Sequence, residues 1–165
     1  MLRKLIAVTA SLGASFVGLQ ASAAQAAEKP QPEWNMSGQN AASGTNKTSA
    51  TEALPWSCHG YAYQPHSITA GIGYDARQEC FGAFDVQKVC VKLQELDYYA
   101  TYYDRTAYNC SAQTVAGAAY RGWSVTCAGA HEGTFRTYAK GYAWPDGVEK
   151  TRTAYSAGVK LCVGY

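Results

Sequence analysis

The chain has 165 residues, of which 47% are hydrophobic and only 16% are charged. This length fits one compact domain rather than several, and the apolar content is too high for a wholly disordered chain. If an N-terminal segment containing Arg3 and Lys4 is removed, the 14 basic residues fall to 12 and equal the 12 acidic residues. A neutral chain does not attract a polyanion as a whole, so the composition argues against nucleic-acid binding.

Residues 1–26 have the pattern of a secretory signal peptide. A short basic start precedes an uncharged apolar run from Leu5 to Leu19, and Ala24-Gln25-Ala26 fits the small-residue cleavage pattern. This apolar run is shorter than the ~20 residues that a helix needs to span a bilayer. We therefore expect cleavage after Ala26, secretion to the extracellular space and no stable membrane anchor.

Residues 27–57 are predicted to form a disordered tail. Ser, Thr, Ala, Asn, Gly, Gln and Pro dominate between Glu28 and Ser57. Such a composition offers too little apolar surface to offset the entropy that ordering would cost. The predicted folded domain therefore spans residues 58–165.

Six cysteines lie in this predicted domain, at Cys58, Cys80, Cys90, Cys110, Cys127 and Cys162. None belongs to a C-x-x-C pair, so the spacing of a zinc or thioredoxin-type site is absent, and three disulfides formed in an oxidising compartment are expected. Cys90 in Val-Cys-Val and Cys162 in Leu-Cys-Val occupy equivalent positions in alternating segments. This parity favours a Cys90–Cys162 bond, which leaves Cys58–Cys80 and Cys110–Cys127 as local pairs.

The hydrophobic period in the predicted domain is two, which is typical of half-buried strands. Alternation is clear at Val89–Gln94, Val159–Val163 and Phe135–Trp144, and Pro145-Asp146-Gly147 then supplies a tight turn. Shorter strand candidates are Ser67–Tyr74, Asp97–Asp104, Thr114–Tyr120 and Gly122–Cys127. About seven short strands separated by turns predict an all-β fold, either an antiparallel β-sandwich or a small barrel.

Three short segments resemble a group of small secreted proteins of filamentous actinobacteria. They are Val89-Cys90-Val-Lys-Leu-Gln94, Thr134-Phe-Arg-Thr-Tyr138 and the Trp-Pro-Asp-Gly that begins at Trp144. The similarity covers roughly residues 80–165. It implies secretion and a bacterial source, but that group has no assigned activity, so the resemblance assigns a role to no residue.

Catalytic motifs are not evident in the sequence. It contains no G-x-S-x-G nucleophile elbow, no H-E-x-x-H and no P-loop. His59, His66 and His131, with Glu132 as a base, are chemically able to form a zinc site, but their surroundings are those of ordinary loop residues. Asp85, Glu95, Asp97 and Asp104 are available as paired carboxylates, yet nothing distinguishes two of them. We predict no metal, no cofactor and no enzymatic activity.

Aromatic composition is the unusual feature, with 13 tyrosines and four tryptophans against four phenylalanines. The alternating segment Phe135–Trp144 places one set of residues together on one face of a strand: Arg136, Tyr138, Lys140, Tyr142 and Trp144. Tyrosine and tryptophan are common on recognition surfaces, so Arg136, Tyr138, Tyr142 and Trp144 are the candidate ligand-binding residues. Cross-strand pairing of rings is the ordinary structural explanation, and alternation alone does not show which face is exposed.

The sequence therefore predicts a secreted, non-enzymatic binding protein for an extracellular polysaccharide or cell-wall polymer. One alternative is an inhibitor or partner of another secreted protein, which would dock through a rigid loop at His59–His66 or Ala128–Gly133. The other is a small hydrolase, which would require a cleft where a histidine meets a carboxylate.

Overall fold

A computed structural model describes residues 33–39, 54–69, 71–127 and 132–163. These residues form eleven β-strands and a 3-10 turn at Pro145–Gly147. Seven strands have six or more residues: β1 Glu33–Gln39, β2 Pro55–Ala62, β4 Gly71–Gly82, β5 Val86–Leu96, β8 Ala118–Thr126, β9 Gly133–Trp144 and β10 Lys150–Tyr155. Four are shorter: β3 His66–Ile68, β6 Tyr102–Asp104, β7 Asn109–Cys110 and β11 Val159–Leu161. The predicted all-β class is confirmed.

The strands form two antiparallel sheets that pack against each other. In sheet A, β1 pairs with β2, and β4 lies between β2 and β8. The short strand β3 pairs with β4 along the same edge as β2. In sheet B, β5 and β9 form the centre, flanked by β10 and β11 beside β9 and by β6 and β7 beside β5. The predicted antiparallel sandwich is therefore present.

The core lies between the inner faces of the two sheets and includes a polar network. The Trp34 indole lies against Gly60, where a Cβ atom would be 1.9 Å from the nearest ring atom. Its Nε1 donates to Gln78 Oε1 at 3.4 Å, and Gln78 Nε2 donates to the Tyr142 carbonyl at 2.8 Å. Gln87 Nε2 donates to the Ala116 carbonyl at 2.5 Å. Buried amide groups need such partners, and these bonds join both sheets.

The predicted disordered tail at residues 27–57 is wrong where the structure describes it. Residues 33–39 form β1, which pairs along its length with β2, and β2 itself begins at Pro55. Trp34 and Met36 point inward and are buried in the core. The alternation of Trp34 and Met36 with polar neighbours was the signal for this strand. The predicted signal peptide and residues 27–32 and 40–53 lie outside the described residues.

Two of the shorter predicted strands are turns in part. Ser67–Tyr74 spans the end of β3 and the start of β4, so it is two antiparallel strands rather than one. Asp97–Asp104 begins with the loop between β5 and β6, and only Tyr102–Asp104 is a strand. The predicted strand is therefore wrong for residues 97–101, and Tyr98 and Tyr99 lie in a loop rather than on opposite faces of a strand. Thr114–Tyr120 and Gly122–Cys127 correspond mainly to the single strand β8.

Three disulfides are present, and only one of the predicted pairs is correct. Cys58–Cys80 joins directly opposed residues of β2 and β4, as predicted. Cys90 is bonded to Cys110, and Cys127 is bonded to Cys162. Cys90–Cys162 is wrong because β9 lies between β5 and β11, and β11 leads directly to Cys162. Cys110–Cys127 is wrong because Cys110 lies directly opposite Cys90 of β5, whereas Cys127 follows the end of β8 that pairs with Gly71 of β4.

Candidate ligand-binding face

Strand β9 presents the predicted row of polar and aromatic residues outward. Its inward residues Phe135, Thr137, Ala139, Gly141 and Ala143 are all buried, whereas every outward residue from Arg136 to Trp144 is half-buried. The structure therefore brings together the four candidate ligand-binding residues, Arg136, Tyr138, Tyr142 and Trp144, on the outer face of sheet B.

The neighbouring strand β5 adds two lysines that sequence reasoning did not assign to this face. Lys88 lies opposite Tyr142, and Lys92 lies opposite Tyr138. Both lysines alternate with inward Val89, Val91 and Leu93, so their outward orientation follows from the same two-residue period. We call the following set the cationic–aromatic face: Lys88, Lys92, Arg136, Tyr138, Lys140, Tyr142 and Trp144, with Tyr102, Tyr108 and Tyr155 at its margins.

Cations and rings are in direct contact across this face. Lys88 Nζ lies 4.4 Å from the Tyr142 ring centroid and 5.6 Å from that of Trp144. Lys140 Nζ lies 4.9 Å from the Tyr142 centroid. The rings of Tyr142 and Trp144 are nearly parallel, at 9°, with centroids 5.9 Å apart. Cation–π contacts of this kind contribute about 0.5–1 kcal/mol at exposed sites, and they occupy ring faces that a ligand would otherwise reach.

The same pattern continues along both strands toward Arg136. Lys92 Nζ lies 4.7 Å from the centroids of Tyr108 and Tyr138. The Arg136 guanidinium lies 3.8 Å from the Tyr102 centroid and 4.1 Å from that of Tyr155. Every outward ring on β9 therefore contacts a cation that the protein itself supplies, before any ligand binds.

One carboxylate borders the face, and it is already engaged. Asp104 accepts hydrogen bonds from Gln94 Nε2 at 2.8 Å and Lys92 Nζ at 2.6 Å. These two contacts hold the pKa of the Asp104 carboxyl below its ordinary value, with the Gln94 bond as the larger cause. Gln94 also accepts from Arg136 Nε at 2.8 Å, so a continuous polar network fixes this end of the face.

The outer face of sheet A has a different character. Its outward strand residues carry three acids, Glu33, Asp75 and Glu79, and one base, Arg77, which is paired with Glu79. Asp75 receives a hydrogen bond from Tyr120, and burial is the main cause that raises the Asp75 pKa above its ordinary value. The two outer faces of the sandwich therefore carry charge of opposite sign.

The histidines considered for catalysis are dispersed, whereas two of the carboxylates, Glu95 and Asp97, line one groove of about 300 Å³. His59 is on β2 with Nδ1 2.5 Å from Asn35 Oδ1, and His66 lies over Gly73 on β3. Both occupy the open outer face of sheet A rather than a cleft, and His131 lies outside the described residues. In the described part of the chain, no three His, Cys, Asp or Glu side chains are grouped as metal ligands would be.

The four carboxylates considered for glycoside hydrolysis each have a structural partner. Asp85 accepts from the Gly147 amide at 2.6 Å, and Asp97 accepts from two amides of its own loop. Glu95 is buried, accepts from Tyr103 Oη at 2.7 Å and lies 3.2 Å from Arg105 Nε. A groove of about 540 Å³ beside Trp56 is lined by no titratable side chain.

The loop between β5 and β6 displays two tyrosines. Tyr98 and Tyr99 are 96% and 84% exposed, and their rings meet edge to face at 5.6 Å. Asp97 Oδ1 accepts from the amides of Tyr99 at 2.9 Å and Thr101 at 2.8 Å. The loop lies within the segment that the Cys90–Cys110 disulfide closes.

The two docking loops predicted from the sequence are elsewhere. The segment His59–His66 consists largely of β2 and the start of β3. In the segment Ala128–Gly133, residues 128–131 lie outside the described residues.

Comparison of the chain with protein-family models and with curated proteins finds no match. A search of the described residues for a helix long and apolar enough to cross a bilayer finds none. The three disulfides are typical of proteins that fold in an extracellular or otherwise oxidising environment.

Proposed function

We propose that this protein is a secreted, non-enzymatic binding protein that holds an extracellular polysaccharide or cell-wall polymer on its cationic–aromatic face. The observation that carries the proposal is the division of β9 into a buried row and an outward row. The rings of the outward row are not needed to fill the core, so together with the cations that contact them they form a surface available for recognition. Secretion is supported by the N-terminal leader pattern and by the disulfides.

Several features of the face suit a polymer of sugars. Tyrosine and tryptophan combine apolar ring surface with a polar atom at the tip. The lysines, Arg136 and the Thr151 and Thr153 positions of β10 add donors and acceptors along the same face. Because antiparallel strands rise about 3.4 Å per residue, the outward row of five residues extends over roughly 27 Å. That length favours an extended chain over a small ligand.

Binding to insoluble polymers tests the proposal. The chain beginning at Ala27 should be retained by at least one member of a panel of insoluble polysaccharides and peptidoglycan. Tyr138→Ala, Tyr142→Ala and Trp144→Ala together should abolish retention, whereas Phe81→Ala should leave it intact, since Phe81 is 55% exposed on the opposite face. Thermal unfolding of each variant separates lost contacts from lost folding. If no polymer in the panel retains the wild type, the proposal is wrong.

A second candidate function, inhibition of or docking to another secreted protein, is favoured by the Tyr98–Tyr99 loop. Exposed tyrosines are frequent anchors at protein interfaces. A loop that is already ordered by Asp97 would lose little conformational freedom on binding. Its two rings are nearly free of contacts with the body of the domain, which leaves them open to a pocket on a partner.

Extracellular proteases with pockets that accept aromatic side chains are the direct test of this second function. The wild type should inhibit one of them, and Tyr98→Ala with Tyr99→Ala should remove the inhibition without lowering the melting temperature. The matched control is Tyr120→Ala, another exposed tyrosine on the opposite sheet. If the wild type inhibits none of the proteases, or if the loop variant inhibits as strongly as the wild type, this function is excluded.

A further inference from the structure

The outward positions of β5 and β9 combine into an ordered array of charge. Moving along the paired strands from Tyr142, successive cross-strand pairs are Tyr142 with Lys88, Lys140 with Cys90, Tyr138 with Lys92, and Arg136 with Gln94. Each of these four pairs holds one cation, and the cation alternates between the two strands. Outward neighbours on a strand are about 7 Å apart, so the four cations extend over roughly 20 Å.

Opposing charge on this face is scarce. The outward positions of β5, β9 and β10 contain no acid, and Asp104 of β6 is the acidic residue in contact, beside Lys92. Within the described residues, Lys88 and Lys140 contact rings rather than carboxylates. The Lys92 side chain is only 13% exposed, and partial burial of cations strengthens their interaction with an anion because less water screens it.

The cations also change which ligands the rings are able to hold. Lys88 and Lys140 approach Tyr142, and the parallel arrangement of Tyr142 and Trp144 turns ring surface toward ring surface. A neutral sugar that stacks on a bare ring face would need to displace these contacts. A sugar that carries an anionic group would instead meet the cation that already lies there.

We infer that the ligand of the cationic–aromatic face is an anionic polysaccharide, a sugar polymer that carries carboxylate, phosphate or sulfate groups at regular intervals. This inference rests on the proposed function, for which it names the ligand class. Charge complementarity supports it, because the four-cation array meets a polyanion while the acidic outer face of sheet A would repel one. The overall neutrality of the mature chain conceals this segregation.

A matched series of polymers tests the inference. Dextran, carboxymethyl dextran and dextran sulfate share one backbone and differ in charge. Both anionic forms should bind at least about tenfold more tightly than neutral dextran, and binding should weaken between about 0.05 and 0.5 M NaCl because the ion contacts are screened. The Lys88→Gln, Lys140→Gln double variant should weaken binding to the anionic forms about tenfold. Asp104→Asn should strengthen it, since it releases Lys92.

Controls make each outcome decisive. Arg77→Gln removes one positive charge from the opposite face and should leave binding unchanged. Equal binding of all three dextrans, or binding that is insensitive to the lysine substitutions, would overturn the anionic inference. Retention by neutral insoluble polymers alone would overturn it and leave the proposed function standing. Tighter binding to single-stranded DNA than to dextran sulfate would replace the polysaccharide with a nucleic acid.

Discussion

At the scale of single residues, the close approach of the two sheets at Gly141 controls how the core network assembles. A Cβ atom at Gly141 would lie 2.0 Å from Gln78 Oε1 and 2.4 Å from Trp34 Nε1. The Trp34–Gln78 hydrogen bond occupies this space, so any side chain here would separate its two partners. Glycine at position 141 is thus required by close packing.

Gly141→Ala should therefore destabilise the fold. Overpacking of this kind costs about 1–3 kcal/mol, which corresponds to a fall in melting temperature of about 4–8 °C for each kcal/mol in a small domain. The matched control is Gly117→Ala, where the nearest atom to an added Cβ is 3.9 Å away. Calorimetry of both variants measures the difference. Equal melting temperatures would contradict the proposed packing of Trp34 on the opposite sheet.

Asp75 on the outer face of sheet A gives a prediction about pH. Burial raises its pKa, although His66 and the Tyr120 hydrogen bond act in the opposite direction. A carboxyl whose pKa is higher in the folded state than in the unfolded chain makes the protein less stable as pH rises past the unfolded value of about 3.9. The folded state therefore carries a cost for the charged form at neutral pH.

Asp75→Asn removes this charge and keeps an oxygen that Tyr120 can donate to. The melting temperature of the variant minus that of the wild type should be more positive at pH 7 than at pH 3. Glu33→Gln removes an exposed carboxylate from the same face and serves as the control. A difference for Asp75→Asn that does not change with pH would show that burial does not control this carboxyl.

At the scale of strands, sequence periodicity predicted the central elements and failed at the margins. Val89–Gln94 and Phe135–Trp144 were predictable because each holds several alternating residues in one uninterrupted strand. Strand β1 was missed because only Trp34 and Met36 are apolar in it, and composition alone suggested a tail. The Asp97–Thr101 loop was missed because consecutive tyrosines imitate alternation, whereas Asp97 binds two loop amides and closes a turn.

Strand β1 should prove essential for stability. Trp34 is 4% exposed and contacts residues of both sheets. Truncation of a buried tryptophan typically costs about 3–5 kcal/mol, so Trp34→Ala should greatly lower the midpoint of denaturant unfolding. Ser37→Ala, at an exposed position of the same strand, should change it little. If Trp34→Ala unfolds at the same denaturant concentration as the wild type, β1 does not contribute to the core.

At the scale of the whole molecule, the distribution of charge and the pairing of cysteines both depend on topology. The grouping of the β9 row on one face was predictable from alternation, but its exposure was not. Its partners Lys88 and Lys92 depend on the register between β5 and β9, which sequence does not specify. The equal numbers of basic and acidic residues beyond Lys4 argued against a polyanionic ligand, yet the two outer faces of the sandwich carry opposite charge. Two of the three predicted cysteine pairs failed for the same reason, since parity shows a residue's face and not its neighbouring strand.

The Cys127–Cys162 bond links the end of β8 in sheet A to the end of β11 in sheet B, and it is the disulfide that joins the sheets within the described residues. Cys58–Cys80 and Cys90–Cys110 instead join strands that are already hydrogen-bonded neighbours. Because β11 has only three residues, its attachment to β9 should depend heavily on this covalent link.

Replacing both Cys127 and Cys162 by Ala should therefore lower stability and release the C-terminal strand. The bond closes a segment with a sequence separation of 35, for which chain entropy predicts about 3.8 kcal/mol. Limited proteolysis should cut the variant between β10 and β11 well before it cuts the wild type. The Cys90→Ala, Cys110→Ala variant should lose comparable stability and still resist cutting there, because Cys127–Cys162 continues to hold β11 in place. A Cys127→Ala, Cys162→Ala variant as resistant as the wild type would show that β11 is held by its hydrogen bonds and buried Leu161 alone.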